Sequence, residues 1–419
     1  MHRIIGLLLL AALAACDRIT PATESGAAAS PEAVMNALVE ERIYPFLYAR
    51  VEDREGRVLF EHAAVNPELM PTAVDGSSWI RIWSMSKVVT IAVALDLMEE
   101  GLLALDDPVI KFIPEFADLR VAVAPDGSDL SAIVDREAAC PLRTVPMEAP
   151  MTVRDLLNHE AGFYYPATGI SCLDDPAGRA DLAGARDSDE LVARLAGLPL
   201  IMQPGTRYHY GTGTTVLGIV AERAAGQSLA ELVERRVTGP LGIEGLRYGL
   251  PAGAELPPRF TAQDGALRVA VPEDLRLFNG SLPDYAPERR LFLGGEGMIG
   301  TADGYADFAR MLLGRGELNG HRLLDAATID ELIAPHTLID SEFGHNGYNL
   351  WISNGRLHDG SFGPAPLWIG GGYEGTHFWV DPERELVGVI MTQAHGIGEE
   401  GWHKDELIRQ AIYAALPTP

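Results

Sequence analysis

The sequence predicts an α/β (α+β) domain. Strands fall near both ends of the chain, a mostly helical stretch lies between them, and one helix is apolar on every side. A helix apolar all round must be buried, so a further layer has to cover it. Strands at both ends imply a sheet begun by the N-terminal part and completed by the C-terminus, with a helical insertion between.

Each element has its own signal. Pro31 to Glu41 reads as an opening helix. Leu47 to Glu52 and Arg57 to Glu61 read as strands joined by the turn residues Asp53 to Gly56. From Val88 to Met98 nearly every residue is apolar, and Glu99-Glu100-Gly101 ends that helix with glycine as the C-terminal cap. Thr152-Val153-Arg154-Asp155 fits a capping box. Thr214 to Ala225 and Leu229 to Val237 read as helices, and Thr301 caps another that runs to about Leu313. Strands return at Tyr348 to Ser353, Thr376 to Val380 and Leu386 to Gln393. Residues 402–415 close the chain as an amphipathic helix. The α/β part is therefore expected at about 31–110 and 290–415, and the helical part at about 111–289.

The chain has 419 residues, enough for a sizeable core, and 47% of them are hydrophobic. Its net charge of −26 argues against nucleic acid, since an acidic surface repels phosphate backbones. The first residues stand apart from the fold. A positive Met1-His2-Arg3 precedes an apolar run of 12 residues, Ile4 to Ala15, too short to span a bilayer. Leu13-Ala14-Ala15-Cys16 resembles a bacterial lipobox, in which the cysteine is lipidated and becomes the new N-terminus. A plain cleaved signal peptide is the alternative. Residues 1–16 are then a leader and 17–30 a flexible tether. The expected location is the periplasmic side of a bacterial membrane, and Asp17 tilts the reading towards the inner one. Export implies an oxidising compartment, where the two remaining cysteines, Cys140 and Cys172, suggest a disulfide.

The stretch WSMSKVVT, Trp83 to Thr90, carries the chemistry. The chain has three lysines, Lys87, Lys111 and Lys404, against thirty arginines. Lys87 begins the helix that must be buried. Burying an ammonium is costly, and a neutral amine can accept a proton where arginine effectively never does. Ser84 lies three residues earlier, on the same face of a helix. A serine is a weak nucleophile until a base activates it. Tyr210 sits in the polar, glycine-rich PGTRYHYGTGTT (204–215), where a phenol can project into a cleft. The run IGGGYEGT (369–376) leads into a strand, so its GxGxxG spacing is not the dinucleotide fingerprint, which opens a helix.

These three stretches, in this order, resemble the penicillin-recognising serine hydrolases: serine β-lactamases, D-alanyl-D-alanine carboxypeptidases and family VIII esterases. MTVRDLLNHEAG (151–162), GGEGMIGTADGYADFARMLL (294–313) and FWVDPERELVGVIMTQ (378–393) look like the same family. The resemblance covers roughly 31–415 and implies one β-lactamase-like domain, an antiparallel sheet flanked by helices with a helical subdomain. It implies that Ser84 attacks a carbonyl, that Lys87 and Tyr210 shuttle protons, and that the backbone N–H groups of Ser84 and Tyr373 hold the oxyanion. No cofactor and no metal are implied.

The departures from the pattern point to the substrate. The second motif reads Tyr210-Gly211-Thr212, so Thr212 stands where the family has asparagine. The third reads Gly370-Gly371-Gly372, without the Lys-Thr pair that binds a substrate carboxylate. Thr212, Gly371 and Gly372 are the expected substrate contacts. A small-molecule ester, or an amide, is the expected substrate, and a carboxylesterase the favoured activity. An acyltransferase, a β-lactamase or D-Ala-D-Ala peptidase, and a ligand-binding envelope module without turnover remain as alternatives. A metal hydrolase fits poorly, because His159-Glu160 is not followed by the histidine that HExxH needs. His209 and His377 flank motif residues.

Overall fold

Seven antiparallel strands make the main sheet, and the chain enters it twice. The computed structural model describes residues 29–417 apart from 134–135, 137–139, 272–273, 275–279, 338–340 and 398–403. The expected leader and lipidated Cys16 lie outside the described residues. Strands β1 (Phe46–Asp53) and β2 (Val58–Val65) come from the N-terminal part. Strands β3 (Gly344–Asn346), β4 (Trp351–Ser353), β5 (Leu367–Gly371), β6 (His377–Asp381) and β7 (Leu386–Met391) come from the C-terminal part. The spatial order is β3-β4-β5-β6-β7-β1-β2. The ends of the chain meet at the β1–β7 ladder, with Tyr48 opposite Met391 and Asp53 opposite Leu386.

Alternation along the strands gives the sheet two apolar faces. Leu47, Ala49, Trp379 and Ile390 pack under two helices, α1 (Pro31–Glu40) and the C-terminal helix (Lys404–Ala415). Tyr48, Phe378, Val380, Val387 and Val389 face the larger core on the other side. There lie α2 (Ser86–Glu99) and the helix Ala302–Leu313, whose N-cap Thr301 accepts a bond from Gly304 N. Every residue of β7 is buried, which explains its unbroken apolar run.

Helix α2 is the axis of that core. Ser86 to Leu95 are all buried, so no polar face exists to orient it towards water. It ends at Glu99, and Gly101 follows at φ +74°. The middle of the chain holds more strand than the sequence suggests: Arg120–Val123 pairs with Arg143–Pro146 as a hairpin. Strand β5 also differs from expectation. Gly370 and Gly371 belong to it and do not merely precede a strand. The capping box at Thr152 forms as read, with a helix of only one turn and a half, Val153–Leu157.

The sulfurs of Cys140 and Cys172 are joined at 2.15 Å, tying the loop before Pro141 to the first turn of the helix Ser171–Ala180. Such a link across 32 residues stabilises by about 3–4 kcal/mol in a chain-entropy account. Thiol titration of the exported protein, denatured without reductant, is expected to find neither Cys140 nor Cys172 reactive. Two free thiols per chain would contradict the link.

Candidate active site

The site begins with a strained residue. Trp83 has φ +48°, a left-handed conformation that costs a non-glycine residue about 1–3 kcal/mol unless its surroundings enforce it. They do. The indole is buried and its Nε1 donates to Glu374 Oε2 at 2.7 Å. Glu374 is fully buried and is neutralised by Arg259, Nη1 to Oε1 3.0 Å. The Arg259 guanidinium also lies 5.1 Å from the Trp83 ring, a cation–π distance. Gln393 joins the set by donating to Glu374 and accepting from Arg81 N at 3.0 Å. Glu374 lies in the β5–β6 turn and Gln393 just after β7. The sheet thus grips the residue before Ser84.

Ser84 sits on a single 3-10 turn, Trp83–Met85, that runs straight into α2. Lys87, in the first turn of α2, is fully buried. Its Nζ is 3.0 Å from Ser84 Oγ, 2.8 Å from Gly295 O and 3.2 Å from Tyr165 OH. Tyr210 OH donates to Ser84 Oγ at 2.7 Å from the opposite side. Among the described residues Lys87 makes no ion pair; its partners are neutral oxygens.

The geometry also directs the amine. Burial, helped by the nearby Glu296 carboxylate, pushes the Tyr165 phenol well above its ordinary value, so it stays protonated. That phenol donates to Glu296 Oε2 at 3.3 Å, which leaves its lone pair facing Lys87. Gly295 O, Tyr165 OH and Ser84 Oγ thus surround the amine and fix its position against the Ser84 hydroxyl, the contact a general base requires.

Tyr210 is held from behind. His159 packs against its ring, centroids 4.7 Å apart, and its Nδ1 accepts from Gly211 N at 3.5 Å. His159 Nε2 donates to Asn349 Oδ1 at 2.7 Å. Burial and the nearby Lys87 charge lower its pKa to about 3, so it is a neutral packing residue. His209 is also pushed down, to about 4, by burial and the neighbouring Arg207 and Arg136 charges. His377 pairs with Gly371 across β5 and β6 and lies 3.9 Å from Asp405. None of the three histidines bonds to Ser84, Lys87 or Tyr210 among the described residues.

Of the residues singled out in the sequence, Ser84, Lys87 and Tyr210 meet directly. Thr212, at the N-cap of the helix Gly213–Ala225, is buried, and its hydroxyl has no partner among the described residues. Tyr373 is exposed in the β5–β6 turn, its ring 5.6 Å from that of Trp83. A Cβ on Gly372 would come within 2.5 Å of Ile82 O, so only glycine lets this turn reach the Ser84 segment. A Cβ on Gly370 would strike the Phe378 ring at 2.2 Å. The glycine run therefore serves the protein's own packing as well as any ligand. Cys140 and Cys172 stand apart from the Ser84 cluster, on the segments described above. Sequence reasoning missed Tyr165, Glu296, Glu374, Arg259 and Gln393, although Glu296, Glu374 and Gln393 all lie in stretches it singled out.

Beside the cluster is a small cavity of about 50 Å³. Trp83, Tyr165, Leu182, Thr212, Pro283 and Glu296 are among its walls.

The beta-lactamase family model matches residues 33–412, and the chain belongs to that family. An uncharacterized protein of Mycobacterium tuberculosis is 33% identical over 334 residues, covering 75% of this chain and 77% of that protein. Esterase EstB of Burkholderia gladioli is 29% identical over 410 residues, covering 92% and 95%. Among solved structures, EstCE1, titled a hydrolase with promiscuous acyltransferase activity, superposes with a TM-score of 0.69 at 21% identity, covering 91% and 97%. The β-lactamase-like fold expected from the sequence is thereby borne out.

Two predictions follow from this geometry. Tyr165→Phe removes one of the oxygen partners that position the Lys87 amine; kcat for ester hydrolysis is expected to fall about tenfold or more, with KM changed much less. An unchanged kcat would remove Tyr165 from the proton path. His159 binds its proton at about 3 when folded and at 6.5 when unfolded. The unfolded state therefore takes up more protons between those values, and stability falls as pH drops through that window. At pH 5 the loss from this one group is about 2 kcal/mol. Denaturant titrations at pH 7 and pH 5 should show a smaller decline in His159→Asn than in the wild type; equal declines would contradict the buried neutral ring.

Proposed function

We propose that this serine hydrolase of the beta-lactamase family is a carboxylesterase for small acyl esters, with Ser84 as its nucleophile. The observation that carries the reading is the position of Ser84 Oγ, 3.0 Å from the buried Lys87 amine and 2.7 Å from Tyr210 OH. Lys87 takes the Ser84 proton as Oγ bonds to the ester carbonyl carbon. The backbone N–H groups of Ser84 and Tyr373 hold the resulting oxyanion. As the C–O bond breaks, Tyr210 protonates the leaving alkoxide and regains a proton from Lys87. Water then attacks the acyl-Ser84 ester, and the same groups return the proton to Ser84.

The departures support an ester over a β-lactam. Gly370 and Gly371 offer neither charge nor hydroxyl to a substrate carboxylate, and Thr212 has no amide. A site without those polar contacts loses its grip on a carboxylated substrate. The small cavity suits a short acyl group. Acyl transfer to an alcohol is the second reading. Tyr210, which would activate the acceptor, is 39% exposed, and EstCE1 combines both activities. We also propose that Cys16 carries a lipid that anchors the enzyme on the periplasmic side of a bacterial membrane. The linked cysteines suit that oxidising compartment.

The test is hydrolysis of p-nitrophenyl butyrate beside a chromogenic cephalosporin. Ester cleavage is expected to be fast, to fall at least about a thousandfold in Ser84→Ala, and to exceed cephalosporin cleavage greatly. Rapid cephalosporin turnover, or activity retained by Ser84→Ala, would overturn the reading. For the anchor, Cys16→Ala should move the protein from the membrane to the soluble fraction; an unchanged distribution would exclude lipid at Cys16.

A further inference from the structure

We infer that the cavity beside Ser84 is built for an acyl group that carries a primary ammonium next to the carbonyl, held by Glu296. The inference rests on the esterase reading above and names the substrate class of that same site. Most of the cavity wall is apolar: Trp83, Leu182, Leu282 and Pro283 give it no reason to contain a charge. Glu296 nevertheless lines it. One carboxylate oxygen, Oε2, is occupied by Tyr165 OH at 3.3 Å and Thr215 Oγ1 at 3.0 Å. The other, Oε1, has no partner among the described residues, and no arginine or lysine pairs with it. It is not sealed away either, so it opens to the space its residue lines.

A carboxylate oxygen facing an apolar pocket without a cation is costly unless the ligand supplies one. Lys87 makes no ion pair with it among the described residues; its amine contacts Ser84, Tyr165 and Gly295 instead. Asp181 also lines the cavity, but Ser281 occupies it through both its backbone N–H and its hydroxyl. Of the two carboxylates in the wall, Glu296 is therefore the one with an oxygen left open; the Thr212 hydroxyl beside it carries no charge. A volume of about 50 Å³ suits a small acyl group. The net charge of −26 favours the approach of a cation.

The test compares the methyl esters of D- and L-alanine with methyl isobutyrate, in which a methyl group replaces the ammonium. At pH 6.5 the amine is mostly protonated. Wild-type kcat/KM is expected to be at least about tenfold higher for one alanine ester than for the isobutyrate. In Glu296→Gln that ratio should fall to near one. The ratio cancels any loss that Glu296 causes by releasing Tyr165. A wild-type ratio near one, a ratio unchanged in the variant, or an equal fall on both esters would overturn the inference. If methyl isobutyrate or p-nitrophenyl butyrate is cleaved through Ser84 without this preference, the esterase reading stands and only the ammonium site is lost. Should Glu296→Gln not fold, inhibition of wild-type isobutyrate hydrolysis decides: propylammonium must inhibit at least about tenfold more strongly than 1-propanol, and equal inhibition overturns the site.

Discussion

The ε-amine of Lys87 is fully buried and, among the described residues, has no carboxylate to pair with it, only three neutral oxygens within 3.2 Å. Much of the molecule is arranged around that constraint. At such a position lysine can take up and give back a proton, whereas arginine effectively never does. Helix α2 gives the amine its burial by being enclosed on every side. Gly295 and Tyr165, from two other parts of the chain, fix its position. In the proposed mechanism this is what turns Ser84 from an ordinary hydroxyl into a nucleophile.

Position matters as much as protonation, and the sheet supplies it. The β5–β6 turn brings Glu374 under the Trp83 indole, and Arg259 and Gln393 complete the clamp. The left-handed conformation of Trp83 is stable because this buried polar set over-determines it. A buried carboxylate with all its partners in place rigidifies; one with a partner removed is strongly destabilising. The same turn carries Tyr373, so the proposed oxyanion donors are set by the clamp that orders the nucleophile. Positioning and chemistry therefore share their supports.

What could be read from the sequence was what local pattern encodes. An apolar run of helical length marked α2, and an unbroken apolar run marked β7. Ser84, Lys87 and Tyr210 were legible because lysine is scarce in this chain and the three motifs occur in order. Strand β5 was obscured because glycines occupy positions where strands usually carry side chains; the Phe378 ring on the neighbouring strand requires Gly370, a contact that only the strand pairing reveals. Tyr165 and Glu296 were not legible as partners of Lys87, since only tertiary folding brings residues 165 and 296 to residue 87. Glu374 looked like one polar residue in a glycine turn, with nothing local to show that it is fully buried.

The central claim is that a buried Lys87 amine takes the proton of Ser84 as the acyl-enzyme forms. Rapid-quench mass spectrometry of wild type and Lys87→Arg, mixed with an excess of an activated short-chain ester, tests it most directly. The account predicts an acyl adduct on the peptide containing Ser84 in the wild type. It predicts a rate of adduct formation at least about a thousandfold lower in Lys87→Arg, because arginine keeps the charge but cannot accept the proton. An adduct on another residue, or equal rates in the two proteins, would contradict it.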